Sequence, residues 1–249
     1  MIRSVKDLID YKIRAKDGDI GKVSEFYFDD ERWTIRYLVA DTGNWLSEKH
    51  VLISPAAFYD KPDWNKKEFP VILTKKMVED SPSIEKDKPV SRIKEQRILE
   101  YYDWPIYWYP TLFSTVSPTI IPVKKVIPDT KEEETCIRST KEVIGYSIHA
   151  KDGDIGHLHD FLIDDRNWKI KYIIVDTRIF LPGKKILIPP NWIKEVSWIK
   201  NSVYVDLMRE TIKNAPHYDY SITIDRKYER RLDDYYKKSK NMKKEKVSV

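Results

Sequence analysis

Cysteine is nearly missing from this chain of 249 residues: Cys136 stands alone. A single thiol excludes an internal disulfide and fits a reducing compartment. Thr135 and Ile137 flank it, with no histidine or acid beside it, so it reads as a spectator in a connecting segment rather than a nucleophile. Long apolar runs are missing too. No stretch approaches the roughly 18 apolar residues of a membrane-spanning helix, and the most apolar one, Ile106–Val123, is cut by Pro110, Pro118 and Pro122, which remove backbone donors and break helices. The opening "MIRSVKDLID" carries charge inside its apolar run and no small-residue cleavage site, so a signal peptide is not expected and the expected location is the cytoplasm. Glycine is scarce at seven residues, and its placement becomes informative below.

What is present is a globular composition, 41% apolar and 34% charged, which supports a core under a solvated surface. The net charge of +5 sits in one place. The tail "KKSKNMKKEK" (Lys237–Lys246) holds six lysines against one glutamate. The rest of the chain is formally neutral, which argues against a broad nucleic-acid surface. The tail alone is left for an acidic partner, and otherwise it reads as a solvated terminus.

The chain is one unit written twice, about 135 residues apart. "LIDYKIRAKDGDIGKVSEFYFDDERWTIRYLVADT" returns as "VIGYSIHAKDGDIGHLHDFLIDDRNWKIKYIIVDT", and "VLISP" returns as "ILIPP". "RIKEQRILEYY" (Arg92–Tyr102) matches "RKYERRLDDYY" (Arg226–Tyr236). Period-2 alternation in "WTIRYLVAD" and "WKIKYIIVD" predicts half-buried strands. The spacing of Ile98, Tyr101 and Tyr102, and of Leu232, Tyr235 and Tyr236, predicts a trailing helix with one apolar stripe in each copy. The expected fold is mainly β with short helices: two tandem small antiparallel β-barrels, each followed by a helix. The expected boundaries are repeat 1 at 1–102, an aromatic and proline-rich then acidic linker at 103–139, repeat 2 at 140–236, and a lysine-rich tail at 237–249. The two repeats are expected to pair within the chain.

Four of the seven glycines stand in the heptad "AKDGDIG" and its copy: Gly18, Gly21, Gly153 and Gly156. Asp17-Gly18 and Asp152-Gly153 predict a two-residue hairpin turn of type I′, and Gly21 and Gly156 a bulge or a close backbone approach. A calcium loop counted from Asp17 or Asp152 would need a glutamate where Phe28 or Ile163 stands. A phosphate loop would need a helix to follow. The heptads therefore read as structural turns.

Each copy resembles a PRC-barrel domain, the family named after the H subunit of photosynthetic reaction centres. The shared features are the aspartate-glycine turn followed by "IGKV" or "IGHL", the "DDxxWxIxY" block, the strand ending at Asp41 or Asp176, and the "VLIS" or "ILIP" strand. The resemblance implies a small antiparallel barrel. It carries fold rather than role. Family members include a ribosome-maturation factor with a different N-terminal domain and many tandem bacterial proteins.

Candidate sites are few. His149, His157 and His159 could ligate a transition metal, but repeat 1 has Arg14, Lys22 and Ser24 in their places and no fourth ligand is evident. The reading is surface or packed histidines, with no metal and no cofactor. The pairs Asp29-Asp30 and Asp164-Asp165 precede Trp33 and Trp168 and read as turn formers. The aromatic strip "YYDWPIYWYP" supplies Trp104, Tyr107, Trp108 and Tyr109, which either pack on the chain's own barrels or dock another protein. No catalytic arrangement is suggested. The expected function is a non-enzymatic scaffold or adaptor for a protein partner. The alternatives are a ribosome- or RNA-associated assembly factor and an accessory subunit beside a membrane redox complex.

Overall fold

The structure, a computed structural model, describes residues 1–46, 49–84, 90–105, 137–178 and 184–246. The chain forms two compact units that do not follow the repeat boundaries. The repeat-1 unit comprises Val5–Glu142 plus Asp164–Lys169. The repeat-2 unit comprises Met1–Ser4, Val143–Ile163 and Ile170–Val249.

Both units are built to one plan. In the repeat-1 unit, β2 (Lys12–Ala15) and the long β3 (Gly18–Asp29) form a hairpin, and β4 (Thr34–Asp41) pairs with β3 from Lys22↔Asp41 to Asp29↔Thr34. β5 (His50–Ile53) lies on the far side of β4, and β6 (Glu68–Pro70) runs parallel to β2. In the repeat-2 unit, β8 (Ser147–Ala150), β9 (Gly153–Asp164), β10 (Lys169–Asp176) and β11 (Lys185–Ile188) repeat this order. There β12 (Ile193–Ser197) pairs with β13 (Ser202–Val205), which runs parallel to β8. The mainly β fold with short helices is therefore present, with two refinements. One pairing per unit is parallel, and among the described residues neither ladder closes into a full barrel.

Two short strands complete the plan by crossing over. β1 (Ile2–Ser4) pairs with β9 of the repeat-2 unit. β7 (Ile137–Ser139) pairs with β3 of the repeat-1 unit, from Tyr27↔Ser139 to Asp29↔Ile137. Residues 137–139 are thus a strand of the fold and not the end of a linker.

Strand β4 is buried from Thr34 to Ala40, so it has no solvent face where the alternation predicts one. Helix α2 (Arg92–Tyr102) meets it through Glu95, which bonds Arg36 and Tyr37 of β4. The buried stripe of α2 is Glu95, Ile98, Leu99 and Tyr102, an i, i+3, i+4, i+7 set headed by a charge. Tyr101, expected in the stripe, is 41% exposed and donates its hydroxyl to the Met77 carbonyl at 3.0 Å. In the other unit Tyr235 donates to the Thr211 carbonyl at 2.5 Å and buried Tyr236 to the Leu187 carbonyl at 2.7 Å. Each trailing helix is seated on its own unit by these tyrosines. Helix α5 spans Arg226–Lys246. The lysine-rich segment up to Lys246 is therefore helical, where the sequence suggests a tail from residue 237.

Candidate functional site

The repeated heptads are structural, with a shift in register. The two central turn residues are Lys16 and Asp17, closed by the pair Ala15↔Gly18, and neither has positive φ. The type I′ expectation is corrected: Gly18 and Gly153 open the returning strand at φ 132° and 135°. Asp17 reaches away from the turn. Its carboxylate accepts the Lys75 backbone N–H at 2.9 and 3.1 Å, at the start of α1 (Lys75–Glu79). Asp152 accepts the Arg209 N–H at 2.8 Å in the same way. Gly21 and Gly156 are the close approaches. A Cβ at either would stand 2.0 or 1.9 Å from the carbonyl oxygen of Asp41 or Asp176.

The acids of the "DDxxW" blocks close turns. Asp29 accepts from the N–H groups of Glu31 and Arg32 at 2.9 and 3.1 Å, and Asp164 from that of Arg166 at 3.1 Å. The turns end on Trp33 and Trp168 in the left-handed region, at φ 52° and 59°. Trp168 is buried in the repeat-1 unit among Phe26, Phe58 and Phe69, with ring centroids 5.5 to 6.3 Å apart.

Two kinds of polar cluster are buried. In the repeat-1 unit, Arg36 bridges Asp29 and Glu95, with Nη1 at 2.8 and 3.0 Å from the Glu95 oxygens, and Tyr37 donates to Glu95 at 3.1 Å. The flanking carboxylates hold the guanidinium charged well above its ordinary range despite burial. The repeat-2 counterpart is a looser pair, Lys171 and Glu229 at 3.9 Å. The second cluster type occurs once in each unit. The Ser4 hydroxyl donates to Asp160 at 2.5 Å, and the Ser139 hydroxyl donates to Glu25. Both carboxylates are buried. Sequence reading missed both sets. The usable signal was the tripeptide Ile-Arg-Ser, present at residues 2–4 and again at 137–139.

The histidines separate. His149 Nδ1 lies 2.5 Å from Asp154 and Nε2 lies 3.2 Å from the Ser202 hydroxyl, with the ring stacked on Tyr204. His157 and His159 line a surface cleft of about 470 Å³ with Gly145, Asp176 and Arg178. Arg178 Nε sits 2.9 Å from buried Asp176. Among the described residues no group of three or more His, Cys, Asp or Glu side chains could hold a metal ion. Of the aromatic strip, Trp104 is 3% exposed and stacked on Tyr102 at 4.1 Å, so it is covered by the chain itself and corrected as a docking residue. Tyr107, Trp108 and Tyr109, like Cys136, lie outside the described residues. No described helix is long and apolar enough to cross a membrane.

The family model for the PRC-barrel domain matches residues 2–65 and 138–212, more than half of the chain. The chain belongs to the PRC-barrel family. The two matched regions agree with a tandem PRC-barrel protein, and each begins at or beside a crossing strand, β1 or β7. Those strands therefore belong to the PRC repeat itself. No curated protein matched the chain.

Proposed function

We propose that this tandem PRC-barrel protein is a non-catalytic scaffold that binds other proteins. PRC-barrel domains often serve as protein-interaction modules. The observation that carries the reading is how the buried acids are used. Asp29, Asp164, Glu25, Asp160 and Glu95 each hold a turn, a crossing strand or a helix, in bonds that acid–base chemistry would have to break. A general base needs a free lone pair within reach of a substrate proton. The copies also differ on the surface, where His157, His159 and Arg178 stand around the repeat-2 cleft at the positions of Lys22, Ser24 and Gly43. Duplication followed by change on one exposed face suits a binding protein whose second copy has specialised.

The test is purification of the tagged full chain from its own cells, with identification of what co-purifies. A protein partner retained at fixed stoichiometry through nuclease and 0.5 M salt (roughly a 4 Å Debye length) supports the scaffold. Its loss from the triple variant His157→Ala, His159→Ala, Arg178→Ala places it at the cleft. Retention of RNA alone, released by salt, supports an assembly factor acting through the lysines of α5. Retention of anionic liposomes alone supports a membrane accessory role.

A further inference from the structure

Each unit is completed by a piece of the other repeat. Ile2-Arg3-Ser4 sits on β9 with its serine on Asp160, and Ile137-Arg138-Ser139 sits on β3 with its serine on Glu25. The two donor strands have the same sequence. Glu25 and Asp160 stand 135 residues apart, the offset of the repeats, so the two anchors are equivalent. The repeat-1 unit also takes the turn Asp164–Lys169, where the Trp168 carbonyl accepts the Ile35 N–H at 2.8 Å and Lys169 pairs with Thr34. A repeat thus carries a seat that its own first strand leaves empty and another repeat's first strand fills.

None of these bonds requires donor and acceptor to share a chain. Along the sequence the repeats are joined by residues 106–136, a length that reaches about 100 Å when fully extended. We propose that two copies of this chain exchange repeats, so that repeat 1 of one copy pairs with repeat 2 of the other and every strand seat is filled in trans. The product is a closed twofold dimer that keeps every bond described within the units and changes only which chain supplies it. The competing intramolecular arrangement has an effective concentration on the order of millimolar, so the dimer is favoured by high local chain concentration during folding. Leaving a folded monomer requires both buried serine–carboxylate bonds to open, so exchange between folded chains is slow. Exchange of repeats does not depend on the scaffold function and adds a mode of self-assembly to it.

The test uses two full chains with different tags, both carrying Cys136→Ser. One carries Ser4→Cys and the other Asp160→Cys. They are unfolded together, refolded over a range of concentrations and oxidised. The expected result is a disulfide-linked product bearing both tags, rising with chain concentration. The pair Ser4→Cys with Ile199→Cys sets the level of chance collision, because Ile199 is 98% exposed in the repeat-2 unit. No excess over that level overturns the proposal. Asp160→Cys removes a buried anchor, so native-sequence chains in light and heavy isotopic forms are co-refolded in parallel. Mixed-mass dimers that persist for hours after dilution are expected. Monomer alone up to about 1 mM, or dimers that fall apart at once on dilution, overturns it.

Discussion

Replacing Gly21 with alanine measures how tightly the two long strands of a repeat are pressed together. A methyl group at Gly21 would meet the Asp41 oxygen at 2.0 Å and its carbonyl carbon at 2.8 Å, about 1.5 Å short of ordinary contact at the oxygen. Both atoms are backbone, on a strand buried over seven residues, so the obstacle cannot swing aside. The residue also holds φ at 153°, which costs a side chain about 1–3 kcal/mol. Forcing the ladder apart adds about 1–3 kcal/mol of overpacking. Gly18 gives the internal comparison. Its φ is 132°, but its nearest obstacle is the Lys75 ammonium at 3.3 Å, the end of a flexible side chain. Gly18→Ala should therefore cost the backbone term alone. Urea unfolding followed by tryptophan fluorescence should rank Gly21→Ala below Gly18→Ala, with a gap of about 1–3 kcal/mol. Gly156→Ala and Gly153→Ala should repeat the order, since the Gly156 methyl meets the Asp176 oxygen at 1.9 Å and the Gly153 methyl meets only Arg209 side-chain atoms. Equal losses at Gly18 and Gly21 would refute the close-approach argument and leave the turn as the reason for the repeated heptad.

Other outcomes follow from the same contacts. Arg36→Met strands the buried Asp29 and Glu95 carboxylates and should cost about 3–5 kcal/mol, whereas Lys171→Met, with 41% of its side chain exposed, should cost less than about 1 kcal/mol; chemical denaturation of both variants checks the difference. Burial holds the phenols of Tyr102, Tyr172 and Tyr236 well above their ordinary value of 10.0. The neutral phenol is the folded form, so its contribution is full below pH 10 and falls as pH rises beyond it. Alkaline difference spectroscopy should show these three ionising only as the chain unfolds, and Tyr236→Phe should carry the unfolding edge to higher pH. Removing residues 239–249 should change stability by less than about 1 kcal/mol, read as an unchanged melting curve, because among the described side chains of α5 the last buried one is Tyr236, ahead of the cut.

The duplication, the hairpins, the "DDxxW" turns and the two trailing helices were legible in the sequence because each is written in neighbouring residues. Turn chemistry and apolar period act over three to eight positions. Even so, local reading misplaced the turn by one residue at Asp17-Gly18, since the interstrand pairing of Ala15 with Gly18 sets the register. It also left Glu95 and Arg36 outside the core. A charge in a periodic stripe reads as solvated until an opposite charge from another element, 59 positions away, makes its burial tolerable. The crossing strands were least legible. Ile-Arg-Ser is too short to show a period, and nothing in three residues says whose β-strand edge they will fill. Only the tertiary structure decided that β1 completes repeat 2 and β7 completes repeat 1, because the seat is made by a ladder edge and a buried carboxylate brought together from far along the chain.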